Sequence, residues 1–519
     1  MAKPGFHFSS PESILLPYIA PLHKVDLNRL LQLAAALLVA FIFTQAIYRL
    51  WFHPLAKFPG PRILSLLHFP TLYKTHVQGI YFREARDLQR KYGRAVRIGP
   101  NHLLLDGSIA WTQVFGHRKG KDEFSKQPTP LKIDQLSIIN TPLETHRRQR
   151  RQLGHAFSDA AMLEQEPVIR KYVDMLIQRL GEHAANKEPA NVVSWFNFAT
   201  FDIIGDLAFS EPFDGLKNNG YHPWVASVFE AIRGLSLTRF YSYYPGILWL
   251  SQKLSLSDSI ATSFKIRAYA HEKALARIHQ GEPPAHKDFV SYMMKKTRDG
   301  TDGMTEEEAV ANAPLLILAG SETTATALSG FCFYTRQNTD AYDYLAQEIR
   351  TAFDCKEDIN LRSTLSLLYL QACVNEILRV YPPAAVTQPR ISPGEFVDGT
   401  YLPPGTLISV YQYATFHNPN NFTDPDSFIP ERWLPPSHPR YDSRFDSDIK
   451  ASFKPFSYGT RDCIGKNLAL AELRFIIARI LFSFDYELQP GQQDWDVRQT
   501  NFVLWEKGAL YVQLTPRAQ

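Results

Sequence analysis

The sequence predicts a mainly α-helical fold with a small β-rich part, preceded by a membrane-spanning helix. Residues 30–50 form an apolar run that is long enough to cross a bilayer as a helix. A second long helix is predicted after Thr305, which begins a capping-box pattern. A third apolar run of helical length follows Gly465. Short strands are expected at 95–100 and 103–105, around a Gly-Pro-Asn turn.

The N-terminal helix leads to a division of the chain into four predicted parts. These are an N-terminal segment, a membrane anchor, a proline-rich hinge and one large folded body, at residues 1–29, 30–50, 51–62 and 63–519. A helix of about 20 residues spans a bilayer core of about 30 Å, and the prolines of the hinge exclude a continuous helix into the body. A buried core helix is the alternative interpretation of the anchor. A cleaved signal peptide is disfavoured because no small-residue cleavage site follows the apolar run.

Charge and cysteine usage indicate a body on the cytosolic side of a membrane. The formal net charge is +4, and no dense arginine–aromatic pattern predicts a nucleic-acid partner. The stretch after the anchor carries several basic residues before its first acid, Glu84, so the positive-inside rule places the body in the cytosol. The four cysteines form no C-x-x-C pair and no zinc spacing, which fits a reducing compartment.

One of these cysteines lies in a loop whose composition suits a metal-bound thiolate. Residues 456–465 read FSYGTRDCIG, and Cys463 comes just before the third apolar helix. Free backbone amides and the positive end of the helix dipole favour a thiolate at that position. A thiolate is a suitable single axial ligand for haem iron. Gly459 and Gly465 would let the backbone pass close to a flat macrocycle.

Two further side chains of this loop fit the same interpretation, since Phe456 can shield the sulfur and Arg461 can reach a haem propionate. Every fixed position matches F-x-x-G-x-R-x-C-x-G, so the loop resembles the haem-binding loop of the cytochrome P-450 superfamily. The alternative is a buried structural cysteine. The resemblance implies the mainly helical prism of that superfamily with its small β-rich lobe. It also implies haem b held by Cys463 as its axial ligand, and a haem-thiolate monooxygenase domain at 63–519.

Other stretches extend the resemblance over nearly the whole chain. The hinge motif HPLAKFPGPR at 53–62 and the motif RIGPN at 97–101 are similar to those of filamentous-fungal members. That group implies hydroxylation or epoxidation of a hydrophobic small molecule with O₂, as a step in secondary-metabolite biosynthesis. A terpenoid or polyketide-like substrate is the expectation by analogy.

The segment AGSETT at 319–324 interrupts the second long helix with small and hydroxylated residues. Glycine and consecutive threonines weaken a helix centre, and a threonine hydroxyl can bond within the helix there. The segment resembles the superfamily's oxygen-activation motif, which implies that Thr323 stabilises the activated oxygen species and Glu322 relays protons. A small-residue helix crossing is the alternative. Pro314 lies nine residues before Thr323 and removes a backbone hydrogen bond of the helix, so a bend is predicted there.

Basic residues in two stretches match superfamily positions that hold the haem propionates. His146 and Arg150 lie four residues apart in HRRQRR, hence on one helix face, and Arg390 follows a proline in a predicted strand. The resemblance implies that all three contact propionates. A solvated helix face or a basic surface patch is the alternative for HRRQRR.

A third pattern, Glu376 and Arg379 at i and i+3, resembles the superfamily's E-x-x-R motif. Alone, such a pair would be a surface ion pair worth under about 1 kcal/mol. The resemblance adds Arg432 as a partner and implies a buried carboxylate that two guanidinium groups share. Breaking such a network would cost roughly 3–5 kcal/mol.

The resemblance also implies a substrate pocket beside the haem, with several segments contributing apolar side chains. The predicted lining residues are Leu136, Ile138, Ile139, Leu315, Ala319, Ala385, Val386, Phe502 and Val503.

Electrons must come from a partner, because the residues after Gly465 are too few for a flavin domain. The resemblance implies an NADPH-cytochrome P-450 reductase at the endoplasmic reticulum membrane, with cytochrome b5 as an additional candidate. The basic residues predicted to meet the reductase are Arg147, Arg148, Arg151, Lys454 and Lys466. Two alternatives stay open, a haem-thiolate isomerase or dehydratase without oxygen insertion and a non-enzymatic haem sensor or carrier.

Overall fold

The computed structural model describes residues 27–128, 133–253, 258–281, 286–295 and 303–517. Most of the predicted N-terminal segment, residues 1–26, lies outside this part of the chain. The chain divides into two compact units, Met1–Ala56 and Lys57–Gln519. The division falls inside the predicted hinge.

The described part of the first unit is a single apolar helix. Helix α1 spans Leu27–Ile47 and continues through a wider turn at Tyr48–Phe52. The whole stretch Asn28–Phe52 has a mean hydropathy of 2.2, is 0% buried, and is long and apolar enough to cross a membrane. Val192–Phe209 and Glu306–Gln337 also meet this length and composition, but they are 94% and 72% buried inside the second unit. Protein therefore covers these two helices.

The second unit is mainly helical. Its α-helices are α2 Arg62–Leu66, α3 Phe69–Tyr73, α4 Tyr81–Tyr92, α5 Gly107–Ala110, α6 Leu143–Gly154, α7 Asp159–Asn186, α8 Val192–Phe209, α9 Gly215–Asn218, α10 Pro223–Tyr243, α11 Pro245–Lys253, α12 Asp258–His279, α13 Phe289–Met294, α14 Glu306–Gln337, α15 Thr339–Ala352, α16 Leu368–Val380, α17 Gln412–Phe416 and α18 Lys466–Ser483. Its strands are β1 Ala95–Gly99, β2 His102–Leu105, β3 Ser125–Lys126, β4 Ala190–Asn191, β5 Arg390–Ile391, β6 Glu395–Val397, β7 Thr400–Leu402, β8 Leu407–Ser409, β9 Phe484–Leu488, β10 Thr500–Asn501, β11 Trp505–Glu506 and β12 Tyr511–Pro516.

The strands form small sheets that agree with the predicted β-rich part. The largest sheet has the order β1-β2-β8-β5-β3. The two predicted strands are its antiparallel pair β1 and β2, and β2 pairs in parallel with β8. Strand β5 places Arg390 opposite Lys126 of β3. This register brings two cationic residues together that lie far apart in the sequence.

Helix α14 lies at the centre of the core and packs against α8, α12, α16 and α18. It begins with the predicted capping box, in which Glu308 N–H donates to Thr305 Oγ1 and Thr305 N–H donates to Glu308 Oε2. The helix continues through Pro314 to its end at Gln337. A Cβ atom on Gly320 would lie 2.5 Å from Ile204 Cδ1 of α8, so glycine permits this helix crossing. The small-residue interpretation of the segment 319–324 therefore applies at Gly320.

Candidate active site

The cysteine loop lies directly before α18, as the sequence predicts. A short 3₁₀ turn at Gly459–Arg461 precedes Cys463, and the N–H group of Cys463 donates to the carbonyl oxygen of Phe456 at 2.8 Å. This bond closes the loop. Cys463 is followed after two residues by the first turn of α18.

The surrounding protein requires glycine at only one of the two glycine positions of the loop. Gly459 has φ +82°, and a Cβ atom on it would lie 1.9 Å from the carbonyl oxygen of Phe115. Its requirement for glycine therefore comes from a neighbouring protein segment, whereas the sequence prediction assigned it to the macrocycle. A Cβ atom on Gly465 would lie at an ordinary 3.7 Å from Phe157. The protein atoms around Gly465 leave room for a side chain, so its role toward haem stays a prediction.

The environment of Cys463 acts on its pKa in two directions. Burial is the largest effect and raises the pKa of the thiol, while the Gly465 N–H group lowers it. The carboxylate of Asp462 raises the pKa and the charges of Arg150 and Lys466 lower it, and the net direction is upward. The backbone amide at the start of α18 thus favours the thiolate, in the direction that the sequence predicts, but burial outweighs it. A coordinated metal cation would stabilise the thiolate further.

Two arginines next to the cysteine are paired with carboxylates. Arg461 is buried, forms a bidentate pair with Glu123 at 2.9 and 3.1 Å, and donates to the carbonyl oxygen of Thr141. Arg150 of α6 donates to both the side chain and the backbone of Asp462. The structure thus attaches α6 and the segment before β3 to the cysteine loop.

Further cationic residues meet at the same place. The Nζ atom of Lys126 donates to Ile139 O at 2.8 Å. Burial lowers the pKa of Lys126, and the charges of Arg390 and Arg461 lower it further. Burial also lowers the pKa of Arg390 to about 10. Burial and the surrounding cations lower the pKa of His146 to about 3.

This group fits an anionic ligand. The guanidinium groups of Arg150, Arg390 and Arg461 and the amine of Lys126 lie around only two carboxylates, Asp462 and Glu123, so cationic side chains are in excess. Among the described residues, the buried Nδ1 of His146 and Nε of Arg390 have no hydrogen-bond partner. Buried polar atoms normally have partners. The two propionate groups of a haem would supply both the missing charge and the missing acceptors, so these residues fit that cofactor.

The predicted oxygen-activation segment, residues 319–324 of α14, directs its side chains to different neighbours. Thr323 Oγ1 donates to Ala319 O at 2.6 Å, the bond within the helix that the sequence predicts. Thr324 Oγ1 donates to Glu472 Oε2 of α18 at 3.3 Å. Burial raises the pKa of Glu472 to about 8. The segment is thereby linked to the helix that follows the cysteine.

Glu322 in this segment is fully buried and forms an ion pair with Lys507. Lys507 Nζ also donates to Thr326 Oγ1 at 2.8 Å. Thr326 Oγ1 in turn donates to Glu322 Oε1 at 3.3 Å. The predicted proton-relay residue thus has a lysine partner from the C-terminal part of the chain.

The structure brings Glu376, Arg379 and Arg432 together in a buried network. All three side chains are 0% exposed, and the Glu376 carboxylate accepts from both guanidinium groups at 2.7–3.1 Å. It also accepts from Ile429 N–H at 2.8 Å. Arg432 has a second anionic partner in Asp448, which is absent from the predicted triad. Two arginines and two carboxylates make the group electrically balanced.

Aromatic contacts connect this network to the cysteine loop. Trp433 Nε1 donates to Glu376 Oε2 at 2.8 Å. The Trp433 ring packs on Phe453 with a centroid distance of 4.6 Å. Phe453 lies three residues before Phe456, where the loop begins. A change at Glu376 can therefore be transmitted to the backbone around Cys463.

The predicted pocket residues lie at different depths. Ala319 is exposed, Leu315 and Val386 are half-buried, and Ala385 and Phe502 are buried. The remaining members are exposed except for one buried isoleucine; they are Leu136, Ile138, Ile139 and Val503. The backbone N–H of the buried Ile138 donates to Asn312 Oδ1 of α14 at 2.9 Å. This bond holds the 133–140 segment beside the oxygen-activation helix, while the pocket itself stays a prediction.

Sequence reasoning missed four residues of the site. They are Lys126, Asp448, Glu472 and Lys507. Their partners lie from 13 to 185 positions away in the sequence, so no spacing within a helix turn or strand predicts these contacts. The one signal available for Lys507 was a charged pair, Glu506 and Lys507, inside a mostly apolar C-terminal stretch.

Comparisons with known proteins agree with this geometry. The cytochrome P450 family description matches residues 57–513. Cytochrome P450 monooxygenase astJ of Aspergillus oryzae is 40% identical over 486 residues, which are 92% of this chain and 95% of that protein. Trichothecene C-4 hydroxylase of Trichoderma arundinaceum is 37% identical over 95% of this chain and 99% of its own length. Trichothecene C-15 hydroxylase of Fusarium sporotrichioides is 38% identical over 94% and 98%, respectively.

These relatives are named as monooxygenases and hydroxylases. They support the predicted monooxygenase activity over a haem-thiolate isomerase or dehydratase and over a haem carrier. The family also implies haem, O₂, electrons from a redox partner and a small-molecule substrate. The chain belongs to the cytochrome P450 family of haem-dependent monooxygenases.

Proposed function

We propose that this protein is a membrane-anchored haem b monooxygenase that hydroxylates or epoxidises a hydrophobic secondary metabolite. The observation that carries the proposal is the excess of cationic side chains beside the Cys463 loop, together with the unpartnered buried nitrogens of His146 and Arg390, which suits the propionates of haem b. When bound, the haem supplies the oxygen activation, and a thiolate ligand favours cleavage of the O–O bond. Two relatives are named as trichothecene hydroxylases, which supports hydroxylation of a small molecule as the reaction.

The residues of the chain have three tasks in this proposal. Cys463 holds the iron, and the group of Lys126, His146, Arg150, Arg390 and Arg461 binds the propionates. Thr323 and Glu322 would hold and move protons on the α14 side of the site. The protein supplies placement and protons, while the redox chemistry belongs to the cofactor.

We place the protein at the endoplasmic reticulum membrane with the Lys57–Gln519 unit in the cytosol. The apolar stretch Asn28–Phe52 supplies the anchor. A second apolar surface supports the same placement, because α2, α3 and α11 expose large apolar side chains. These are Ile63, Leu67, Phe69, Tyr73, Trp249 and Leu250. They would retain part of the protein at the membrane after loss of α1.

The electron donor in this proposal is NADPH-cytochrome P-450 reductase, with cytochrome b5 as an additional donor. Arg151 and Lys466 are exposed beside the segments that carry the cysteine and the propionate residues. Arg148 is 41% exposed, but it pairs with Glu308 and donates to Gly303 O at 3.1 Å, so Glu308 offsets part of its charge.

The test of the proposal is the ferrous carbon monoxide spectrum of the purified protein. The native chain is expected to show the red-shifted Soret band of thiolate ligation. Cys463→Ala is expected to lose this band, because the thiolate is the sole protein ligand to the iron in the proposal. Retention of the band by Cys463→Ala would contradict the assignment. In the producing organism, gene disruption is expected to accumulate a metabolite that lacks one oxygen atom.

A further inference from the structure

The ion pair between Glu322 and Lys507 has an arrangement that stability alone does not explain. The two residues are 185 positions apart, and their side chains are 0% and 2% exposed. Burying two charges costs free energy that their attraction recovers only when the remaining lone pairs and protons are also satisfied. The pair meets this condition at one oxygen of the carboxylate and not at the other.

The two oxygens of Glu322 differ in their contacts. Oε1 accepts from Lys507 Nζ and from Thr326 Oγ1, and Lys507 Nζ also donates to Thr326 Oγ1, so three side chains form a closed ring. Oε2 is buried and has no hydrogen-bond partner among the described residues. An unsatisfied buried oxygen is unfavourable. Oε1 is thus held in place, while Oε2 stays available to accept a hydrogen bond or a proton.

Lys507 is itself held in position by its neighbours in the chain. Trp505 Nε1 donates to Pro382 O at 2.8 Å, and Trp495 Nε1 donates to Gly508 O at 2.9 Å. These bonds fix the backbone on both sides of Lys507. The ammonium group therefore reaches Glu322 from a rigid support.

The charges around the pair are few. Burial lowers the pKa of Lys507 to about 7. A carboxylate in contact with an amine favours its charged form, so Glu322 would act in the opposite direction. Glu472 of α18 contacts Thr324 on the same helix, and burial raises its pKa to about 8. In the surroundings that the structure describes, Lys507 is the cation that contacts Glu322.

We propose that Lys507 is a positioning residue for the monooxygenase reaction, which keeps Glu322 ionised and turned so that Oε2 can accept and pass a proton beside Thr323. This inference rests on the proposed function, because it requires an oxygen-binding haem near α14. Removing the ammonium would leave the carboxylate without its fixed partner. Glu322 would then become protonated or turn away from its position.

The first test measures the pair itself and needs no activity. The melting temperatures of Lys507→Met, Glu322→Gln and the double variant are compared in haem-loaded protein. Lys507→Met is expected to melt lower than the double variant, because it alone leaves a buried, unpaired carboxylate. Independent, additive shifts would show that the two side chains do not interact, and would overturn the inference.

The second test measures proton supply without a substrate. Dithionite-reduced protein is mixed with O₂ in H₂O and in D₂O, and its reoxidation is followed by stopped-flow absorbance. Two reduced proteins and one O₂ take up two protons to yield hydrogen peroxide. Lys507→Met is expected to slow this reaction roughly tenfold and to change its solvent isotope effect, since positioned acid–base groups contribute large factors. Lys507→Arg is expected to stay within about twofold of the native rate.

Controls separate positioning from structure. Lys356→Met removes an exposed lysine beside Glu357 and is expected to leave both readouts unchanged. The double variant is expected to reoxidise no more slowly than either single variant. A native rate and isotope effect in Lys507→Met, or in Lys507→Gln if the first variant fails to fold, would overturn the inference. Such a result with an intact thiolate carbon monoxide spectrum would leave the proposed function standing.

Discussion

Replacement of Glu376 by glutamine perturbs the buried network behind the cysteine loop with a minimal change in shape. The Glu376 carboxylate accepts hydrogen bonds from Arg379, Arg432, Ile429 and Trp433. A glutamine offers one acceptor oxygen, and its NH₂ group would face N–H donors. The substitution also removes one of two negative charges that balance two arginines.

The structure allows the size of this effect to be worked out. Breaking a fully buried ion pair costs about 3–5 kcal/mol, against a total unfolding free energy of about 5–15 kcal/mol for a typical domain. An unfolding entropy of about 2.1 cal/mol/K per residue is summed over the unit Lys57–Gln519. Dividing the lost ~3–5 kcal/mol by this summed entropy of about 1 kcal/mol/K gives a drop in melting temperature of roughly 3–5 °C. Since Trp433 connects the network to Phe453, we expect haem retention to fall as well.

The assay combines a thermal melt with the haem-to-protein ratio after gel filtration. Glu144→Gln is the matched control, because Glu144 and Arg147 have the same i, i+3 spacing as Glu376 and Arg379 but lie at the surface. An exposed pair is worth about 0–1 kcal/mol, so this control is expected to melt like the native protein.

The stability that Glu376 contributes should change with pH in a definite direction. Burial alone would raise the pKa of Glu376, but Arg379 and Arg432 outweigh it and hold the pKa below the ordinary value of 4.5. A carboxylate with a lowered pKa stabilises the fold above its unfolded pKa and loses this contribution as pH falls through its folded pKa. The difference between native and Glu376→Gln proteins should be constant near neutral pH and shrink below about pH 4.5. Equal melting and haem retention in the two proteins at pH 7 would refute the reasoning.

Three further predictions follow from the proposed function. Thr323→Ala removes the hydroxyl that donates to Ala319 O and should raise the hydrogen peroxide released per NADPH consumed while haem binding persists; an unchanged ratio would count against its role. Deletion of residues 1–50 should move much of the protein from the membrane pellet to the supernatant with haem still bound, and a chain that cannot bind haem would contradict the domain boundary. Arg151→Glu combined with Lys466→Glu should slow reductase-driven turnover more than peroxide-driven turnover, and the difference should shrink as salt screens the charges. If both rates fall together at every ionic strength, the assignment of Arg151 and Lys466 to the reductase-docking surface is wrong.

Local patterns in the sequence were enough to predict several elements. The capping box at Thr305 and the pair Glu376–Arg379 depend on spacings of three residues, and helix geometry brings such positions together. The membrane-length helix follows from composition alone. The cysteine loop could be recognised in the sequence because its residues are consecutive. In the structure, a hydrogen bond from Cys463 N–H to Phe456 O closes it.

The tertiary structure decided which of these residues have other partners. Arg148, which lies in the predicted docking set, also pairs with Glu308 of α14. Gly459 is required by the carbonyl oxygen of Phe115, a contact that no motif encodes. Such contacts depend on how closely packed helices and strands approach one another. The spacing of residues along the chain does not predict the distance between two segments that are far apart in the sequence.

By itself, the sequence determined the helical class of this protein, its apolar N-terminal helix and the position of its cysteine loop before a helix, because these depend on neighbouring residues. Only the tertiary structure brought Lys507 to Glu322, Asp448 to Arg432, and Lys126 to Arg390. Each of these contacts pairs or groups buried charges, whose cost depends on the partners that folding supplies. The balance of charge inside the site is therefore a property of the fold.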